Sequence, residues 1–465
     1  MAIADIKAYS HLSEEDVAEI GRRFEEIAAE HRAALGPKDA RYIRTLIRVQ
    51  RGLEVAGRGL LMLPTLGMAL DKAGYKTRKG GLLPRSLRTP AHKGLWWAGV
   101  GALSLSKILE NLEIGHNVMH GQWDWMNDPE IHSTTWEWDN VCPSSQWMHT
   151  HNFAHHKYTN ILGMDTDVGY GVLRVTRDRK WAAMHSFQPV INLALATLFQ
   201  WAVGYYDVEL GKVAAGKATW KETAPKFWET TRKAGTQMLR DYILFPALSG
   251  PNFFHTVSAN ATANFARSVW AYAVIFCGHF PDEAETFTKE QWKNETRDEW
   301  YLRQMLGSAN FRGGKILTIL SGNLNYQIEH HLYPDMPSNR LSHIGERVQA
   351  ICEEFDLPYN TDSFPAQLVK VQRTLLKLSL PNKYLAADRD NAPEVRSNAA
   401  FTKYPEVESK VWVGENESGE RAGLRTGLGL LAKLRPSVKE ALLNFTGRTP
   451  EWRSKVVAAE PQKAV

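Results

Sequence analysis

Histidines in three short clusters are the residues of this sequence with the clearest capacity for chemistry. The chain has 16 histidines among 465 residues, and seven of them fall within three segments that together hold only 13 residues. The seven are His116 and His120, then His151, His155 and His156, then His330 and His331. Imidazole is the commonest metal ligand among protein side chains. The clustering therefore predicts that these seven side chains bind metal.

The spacing inside the first two clusters predicts which side chains converge. Positions four apart lie on one face of an α-helix, so His116 pairs with His120. His151 pairs with His155 for the same reason. His156 would be rotated by about 100° from His155 on an α-helix. Three imidazoles within six residues indicate a metal site rather than packing.

The third cluster indicates more than one metal ion. Pro334 disfavours helical geometry at Tyr333, so His330 and His331 lie near the end of a helix. Adjacent side chains diverge on a helix, which suits two ions better than one. Seven nitrogen ligands are also too many for one tetrahedral zinc ion with an open position. Imidazole suits zinc, copper, iron and nickel alike, but iron would add redox chemistry that zinc lacks.

Few apolar segments are available to position these clusters. They are residues 57–70, 95–109, 187–206 and 242–258, followed by an aromatic-rich run at 265–278. By length and composition, 187–206 is the convincing membrane-spanning helix. Arg58 and Pro64 interrupt 57–70, which predicts an interfacial or re-entrant segment there.

The segment 95–109 leads directly towards the first cluster. Charged side chains at Lys107, Glu110 and Glu113 are costly in lipid unless they face protein or water. We therefore expect a helix that ends in polar residues directed at the site. Nearer the start of the chain, residues 11–34 predict an amphipathic helix capped by Ser13.

Composition excludes several classes of protein. Apolar residues make up 43% and charged residues 23% of the chain, and the mean hydropathy is −0.36. These values exclude both a disordered chain and a transporter made mostly of lipid-facing helices. Three distant cysteines exclude a disulfide framework and a four-cysteine iron–sulfur site, and a net charge of +5 is too small to indicate nucleic acid.

The clusters stand in segments that resemble the membrane fatty acid desaturases, whose three histidine boxes hold a di-iron centre. We call His116–His120 box 1, His151–His156 box 2 and Gln327–His331 box 3. They occur within NLEIGHNVMHGQWDWM, WMHTHNFAHHKYTN and GNLNYQIEHHLYPDMP. Four further segments make the sequence similar to the bacterial NADPH-dependent stearoyl-CoA Δ9-desaturases over roughly residues 1–400: KDARYIRTLIRVQRGLEVAGR, MDTDVGYG, FCGHFPDEAETF and RQMLGSANF.

The resemblance implies a mainly α, membrane-embedded fold with a histidine-rich di-iron site on its cytoplasmic face. It implies an O2-dependent acyl-CoA desaturase that introduces a cis Δ9 double bond into stearoyl-CoA with two iron ions. NADPH would act indirectly, through a separate flavin/iron–sulfur oxidoreductase as electron donor. We expect residues 1–50 to form an N-terminal helical extension, 51–384 the catalytic domain, and 385–465 a polar, mobile tail.

Two positions in the boxes depart from the broader family pattern. Asn117 stands in box 1 where many members carry Asp, so a carboxylate is missing beside the histidines. Gln327 opens box 3 where many Δ9 enzymes have His, and this variant is typical of front-end desaturases. Gln327 therefore leaves a front-end desaturase as an alternative. A hydroxylase or ketolase of the same metal class is a further alternative.

Other residues are candidates to complete the site. Animal acyl-CoA enzymes usually have a further ligand between boxes 2 and 3, for which His279 is our first choice and His255 the second. The candidates to hold ligand imidazoles in place through hydrogen bonds are Gln327, Asn117, Asp165, Asp167 and Glu113. A different class also remains open, a membrane lipid-binding protein with a structural zinc site.

The spacing of the boxes also predicts their location. Only 31 residues separate His120 from His151, which is short for two crossings, so boxes 1 and 2 should share one membrane face. Two spans, 187–206 and 242–258, would return the chain to that face before box 3. We expect a multi-pass or partly re-entrant protein of the cell membrane with its site facing the cytoplasm. Segments 72–93 and 212–240 each carry seven Lys or Arg, which conflicts with this orientation if both lie on the opposite side.

Overall fold

The protein folds mainly into helices, as expected. A computed structural model describes residues 6–73 and 90–381, except residues 178, 215, 282 and 283. The predicted tail at 385–465 lies outside the described residues. In chain order the helices are α1 (Glu14–Ala33), α2 (Pro37–Lys72), α3 (Pro90–Ile108), α4 (Asn117–Met119), α5 (Ser144–Met148), α6 (His156–Tyr158), α7 (Gln188–Thr197), α8 (Phe199–Tyr206), α9 (Leu210–Ala214), α10 (Trp220–Leu239), α11 (Phe245–Leu248), α12 (Phe253–His279), α13 (Lys289–Lys293), α14 (Arg297–Leu306), α15 (Lys315–Leu320), α16 (Gln327–Leu332), α17 (Leu341–Glu354) and α18 (Phe364–Lys377).

The amphipathic helix expected at 11–34 is α1. The Ser13 side chain accepts from the N–H of Asp16, while Asp16 accepts from the N–H of Ser13, which satisfies two donors at the helix start. Its apolar face, which includes Ile20 and Phe24, is buried in a core shared with α14, α16 and α17. This core joins α1 to α16, the helix that carries box 3.

The helix α2 corrects our interpretation of residues 57–70. This segment is part of one 36-residue helix that passes through Pro64 without ending. Among the described residues it is the one helix that is long and apolar enough to cross a membrane. Arg58 is tolerated inside it because its guanidinium donates to Asp241 at 2.9 Å and to Asn260 at 2.7 Å. The same helix runs unbroken across the domain boundary predicted at residue 50.

Both predicted spans between boxes 2 and 3 are interrupted. Residues 187–206 form two helices, α7 and α8, because Leu198 leaves helical geometry at φ −111° and ψ 25°. Residues 242–258 bend at Gly250, which adopts a positive φ of 53°, and at Pro251, which lacks an N–H donor. The apolar run at 265–278 instead belongs to the 27-residue helix α12.

Helix α3 connects the membrane-type helices to the site. It packs against α2 and α12 and continues as a π-helix over Leu109–His116. The expected helix that leads to the first cluster is therefore present, and it ends at His116. The buried Lys107 ammonium on α3 bonds Asp139 at 2.9 Å and Asp241 at 3.0 Å, so its charge is paired.

A small sheet supports the third box. Strand β1 (Asn310–Arg312) pairs in parallel with β2 (Thr361–Ser363), with Asn310 opposite Thr361 and Arg312 opposite Ser363. Asn310 also accepts from the N–H of Ile328 at 2.9 Å, which ties the strand to α16.

Candidate metal centre

Box 2 lies almost wholly on a π-helical segment, and box 1 begins at the last residue of another. Leu109–His116 and His149–His155 are π-helical, and box 3 lies on α16. Such segments are rare and frequently occur at functional sites. In box 1, the N–H of His120 donates to the carbonyl of His116 at 3.1 Å, which is the α-helical spacing that we predicted for this pair.

The π-helix in box 2 changes the predicted direction of His156. The N–H of His156 donates to the carbonyl of His151, five residues earlier instead of four. This wider turn brings His156 towards the side that carries His151, and their ring centroids are 4.9 Å apart. His155 lies at 5.0 Å from His151. All three box 2 imidazoles therefore face one region, although an α-helix would have rotated one of them away.

The seven box histidines converge as predicted. Rings from different boxes are neighbours: the centroid of His120 lies 4.7 Å from that of His330, and His156 lies 4.5 Å from His331. His116 lies 5.4 Å from His151. Boxes separated by about two hundred residues thus meet in one buried cluster.

The ligand atoms of this cluster divide into two main sets. Within each set the nitrogens lie within 4.8 Å of one another, which is close enough to hold one ion. The first set contains His116, His120, His151 and His330, and the second contains His155, His156 and His331. The neighbours His330 and His331 serve different sets, as their divergence on a helix predicts. A third group of His151, His155 and Asp167 bridges the two.

His279 stands beside the second set. It ends α12, and its ring centroid lies 4.7 Å from that of His155 and 5.0 Å from that of His331. Its Nδ1 is buried without a hydrogen-bond partner among the described residues. His255, our second choice, instead contacts the ring of His92 at 4.8 Å and lies at the other end of α12.

Acceptors on neighbouring segments orient several of the rings. His155 Nδ1 donates to Asp165 at 3.0 Å, and His151 Nδ1 donates to Asp167 at 3.2 Å. Asp165 is itself held by the N–H groups of Asn160 at 2.7 Å and Asp167 at 2.8 Å. These bonds turn the opposite nitrogen, Nε2, towards the interior of the cluster.

The inward nitrogens have unused hydrogen-bonding capacity. Across the described part of the chain no partner is found for Nε2 of His120, His151, His155 and His331, or for either ring nitrogen of His156 and His330. Buried polar atoms are normally paired, so unpaired nitrogens in two adjacent groups indicate a ligand site. Burial lowers the pKa of His116 to about 4 and lowers the pKa of His120 and His330 well below the usual range. These rings are therefore neutral, as metal binding requires.

The other polar residues that we expected to hold ligand imidazoles make different contacts. Asn117 Oδ1 accepts from His116 Nδ1 at 3.0 Å, so the amide takes the place expected of a carboxylate. Gln327 Nε2 lies 3.2 Å from His279 Nε2. Glu113 corrects our expectation, because its carboxylate accepts from Tyr42, Asn323 and Ser338, and none of its hydrogen bonds within the described part of the chain goes to a box histidine. The backbone carbonyl of Glu113 accepts from Asn117 Nδ2 and so helps to hold the amide that contacts His116.

Sequence reasoning missed three residues that contact the cluster. Gln304 Oε1 accepts from His331 Nδ1 at 3.1 Å, and Thr159 Oγ1 lies 3.3 Å from the same nitrogen. Trp147 stacks on His151 with ring centroids 4.4 Å apart. Gln304 lies within RQMLGSANF, a segment that the resemblance had already singled out without assigning a role to any residue.

One cavity adjoins the cluster, and a second shares two lining residues with it. A narrow, mainly apolar channel touches His116, His151 and His279 and is walled by residues that include Tyr170 and Ala271. A larger open cavity of about 990 Å³ is lined by charged side chains from α2, the segment 129–143 and α10. Trp138 and Asn140 line both cavities, so they mark the junction between the charged space and the channel.

Comparison with known proteins identifies relatives of the chain. The sequence profile of the fatty acid desaturase family matches residues 94–363. An NADPH-dependent stearoyl-CoA 9-desaturase of Mycobacterium tuberculosis is 48% identical over 446 residues, which cover 95% of this chain and 97% of that protein. An sn-1 linoleoyl-lipid 6-desaturase of Synechocystis is 25% identical, over 60% of this chain and 79% of that protein. Fatty acid desaturase 3 of Homo sapiens is 24% identical, over 50% of each chain.

Proposed function

Because this chain belongs to the fatty acid desaturase family, we propose that it introduces a cis Δ9 double bond into stearoyl-CoA, using O2 and electrons that originate from NADPH. The observation that carries this proposal is the pair of adjacent histidine sets with unpaired inward nitrogens. The choice of substrate rests on the 48%-identical relative, whose alignment covers nearly the whole of both chains.

We assign the seven box histidines to two iron ions. His116, His120, His151 and His330 would hold one ion, and His155, His156 and His331 would hold the other, with His279 as a fourth ligand. The donor set fits, because imidazole suits iron and the carboxyl groups of Asp165 and Asp167 hydrogen-bond the rings that they orient. When bound, such ions supply the activation of O2 and the removal of hydrogen from unactivated carbon.

The chain's own residues determine where this chemistry occurs. Three rings are kept turned inward by hydrogen bonds: His155 by Asp165, His151 by Asp167 and His331 by Gln304. Their ligand nitrogens are therefore in place before substrate arrives. Trp147 and the apolar channel exclude bulk water from the oxidising site. The overall reaction consumes O2, two electrons, two protons and the saturated chain, and releases the alkene and two waters.

The two cavities suit an acyl-CoA substrate. The fatty chain would enter the apolar channel and pass the histidines, while the CoA part would stay in the larger charged cavity. Arg51 and Arg232 line this cavity and would supply positive charge for the CoA phosphates, beside six acidic residues that line it as well. Arg240 is paired with Asp139 and Asp241. Asn140 lies at the junction, where the thioester would be placed.

The electrons require a second protein in this proposal. We infer a separate NADPH-dependent flavin/iron–sulfur oxidoreductase, since the sequence holds no four-cysteine cluster and no credible nucleotide-binding fingerprint. The name of the 48%-identical relative supports NADPH as the source of the electrons.

We also propose that the chain is a multi-pass membrane protein with its site at the cytoplasmic face. Helix α2 has the length and hydropathy of a membrane span. Large apolar side chains are exposed on α2, α3, α7 and α12, including Val55, Trp97, Leu193 and Phe254. Such side chains are costly in water and are suited to lipid.

Product analysis tests the function directly. Membranes that contain the protein would receive stearoyl-CoA, NADPH, O2 and a competent reductase, and mass spectrometry would locate any double bond. We expect oleate from the wild type and none from His331→Ala, with both proteins present in equal amount. A hydroxylated product would contradict desaturation. A bond between the carboxyl group and an existing double bond of an unsaturated substrate would support the front-end alternative that Gln327 favours.

A further inference from the structure

One aromatic side chain of box 2 points away from the metal centre into solvent. Phe153 lies on the π-helix His149–His155, between the ligand candidates His151 and His155, and is 53% exposed. The other residues with large exposed apolar side chains lie mostly on α2, α3, α7, α10, α12 and α18. Phe153 therefore stands apart from α2, α3, α7 and α12, the helices that we assign to lipid.

Phe153 is part of a larger surface that we call the box 2 surface. It contains Phe153, Lys157, Tyr158, Lys289, Trp292 and Lys293. The Lys157 ammonium lies 5.2 Å from the ring centroids of both Phe153 and Tyr158. Tyr158 contacts Trp292 with centroids 5.3 Å apart, and Trp292 lies on α13 between the two other lysines. The surface is basic, because its three exposed lysines outnumber the one exposed acid on α13, Glu290.

This surface is also the part of the histidine boxes that reaches solvent. Every residue of Leu109–His120 and of Gln327–Tyr333 is buried, so boxes 1 and 3 offer no approach from outside. In box 2, by contrast, Phe153 and Lys157 are exposed while His155 and His156 beside them are buried. Electron transfer slows steeply with distance, so a donor gains most by docking where one helix spans from solvent to ligand.

We propose that the box 2 surface is the docking site of the electron donor, and that the donor presents an acidic surface around its redox group. This inference rests on the proposed function, which requires two external electrons for each double bond. Exposed aromatic groups surrounded by lysines fit a small, transient interface, in which apolar contact gives affinity and charge gives the rate of encounter. The donor is oxidised by two electrons per turnover, and the metal centre is reduced by the same two.

The test separates electron delivery from the chemistry that follows it. Turnover is measured in two ways in the same membranes: with NADPH and increasing concentrations of reductase, and as a single turnover after reduction by dithionite, when O2 is admitted. The variants are Lys157→Glu, Lys289→Glu and Phe153→Ser. Matched controls are Lys38→Glu and Val369→Ser, which change exposed side chains on α2 and α18.

We expect each lysine variant to need about tenfold more reductase for half-maximal turnover, and this difference to shrink as salt screens the charges. Phe153→Ser should show a similar loss that salt does not remove. Product from the dithionite-reduced enzyme should stay at the wild-type level in all variants, and the controls should match the wild type throughout.

Three results would overturn the proposal. Variants that lose product equally with dithionite would show a structural role for these residues, and variants that behave as wild type with both electron sources would show no docking role. Displacement of the variants from membranes would identify the surface as a lipid contact. A wild-type enzyme that forms no alkene with either electron source would instead contradict the proposed function itself.

Discussion

Replacing Asp165 by Asn should weaken metal binding at the second histidine set. The Asp165 carboxylate accepts from His155 Nδ1 and from the N–H groups of Asn160 and Asp167, so it fixes both a ligand ring and the segment after box 2. An amide of the same shape removes the negative charge beside the imidazole. Its NH2 group would also face a donor, so one of these hydrogen bonds would be lost.

The size of the effect follows from these contacts. Loss of a hydrogen-bonded partner behind a ligand typically costs 10- to 100-fold in metal affinity, which is about 1.4 to 2.7 kcal/mol. The unpaired backbone donor adds about 1 to 3 kcal/mol of destabilisation to the metal-free protein. Asp167→Asn should cost less affinity, because Asp167 makes a single, longer contact with His151, at 3.2 Å.

Chelator competition on purified protein would measure the affinity, and thermal unfolding of the metal-free protein would measure stability separately. Asp362→Asn is the matched control, because the partners of the Asp362 carboxylate on β2, among the described residues, are Lys370, Arg312 and the N–H of Ser363, and none of them is a histidine. Wild-type metal affinity in Asp165→Asn, or a larger loss in Asp167→Asn, would refute this account of the site.

Three further predictions use other parts of the structure. Burial raises the pKa of Asp207 to about 8, so the folded protein keeps this proton up to a higher pH than the unfolded chain, which releases it near pH 4. The free energy of unfolding should therefore fall as the pH rises from about 4 to about 8, by up to about 1.4 kcal/mol per pH unit. Melting curves should show a smaller pH dependence for Asp207→Asn. A Cβ at Gly278 would lie 2.8 Å from the Gln327 side chain, so Gly278→Ala should displace the Gln327 amide from His279. We expect lower turnover and a destabilisation of the fold by about 1 to 3 kcal/mol. Unchanged turnover would show that the position of this amide is unimportant. Ala271→Leu should narrow the channel and shift the preference for chain length towards shorter acyl-CoAs by about 10-fold or more in kcat/KM, as competition between two substrates would reveal.

The site was more predictable from sequence than the helices that carry it. The seven histidines were identifiable because metal ligation requires one residue type at helical spacings, and that constraint is local. His156 shows the limit: its orientation depends on a π-turn that residue types alone do not predict. Gln304 was missed because it reaches His331 only through tertiary folding, from a helix 27 residues earlier.

The membrane segments were predicted less well, for a physical reason. Hydropathy measures composition and is blind to the backbone breaks that end a helix, such as those at Leu198 and Gly250. Hydropathy also underestimates the length of a membrane span that contains a charged residue. The pairing of Arg58 with Asp241, which makes the charge tolerable, exists only in the folded protein. Hydropathy therefore predicts a short interrupted segment where α2 is a helix of 36 residues.

Metal analysis of the protein purified from the membranes that produced it tests the central claim most directly. Iron and zinc would be quantified per chain, and Mössbauer spectroscopy would show whether the irons are coupled. We predict about two iron ions per chain in one coupled centre, with loss of that centre in His331→Ala. Stoichiometric zinc in active preparations, or two isolated irons without coupling, would contradict the assignment of the histidine cluster to a shared di-iron site.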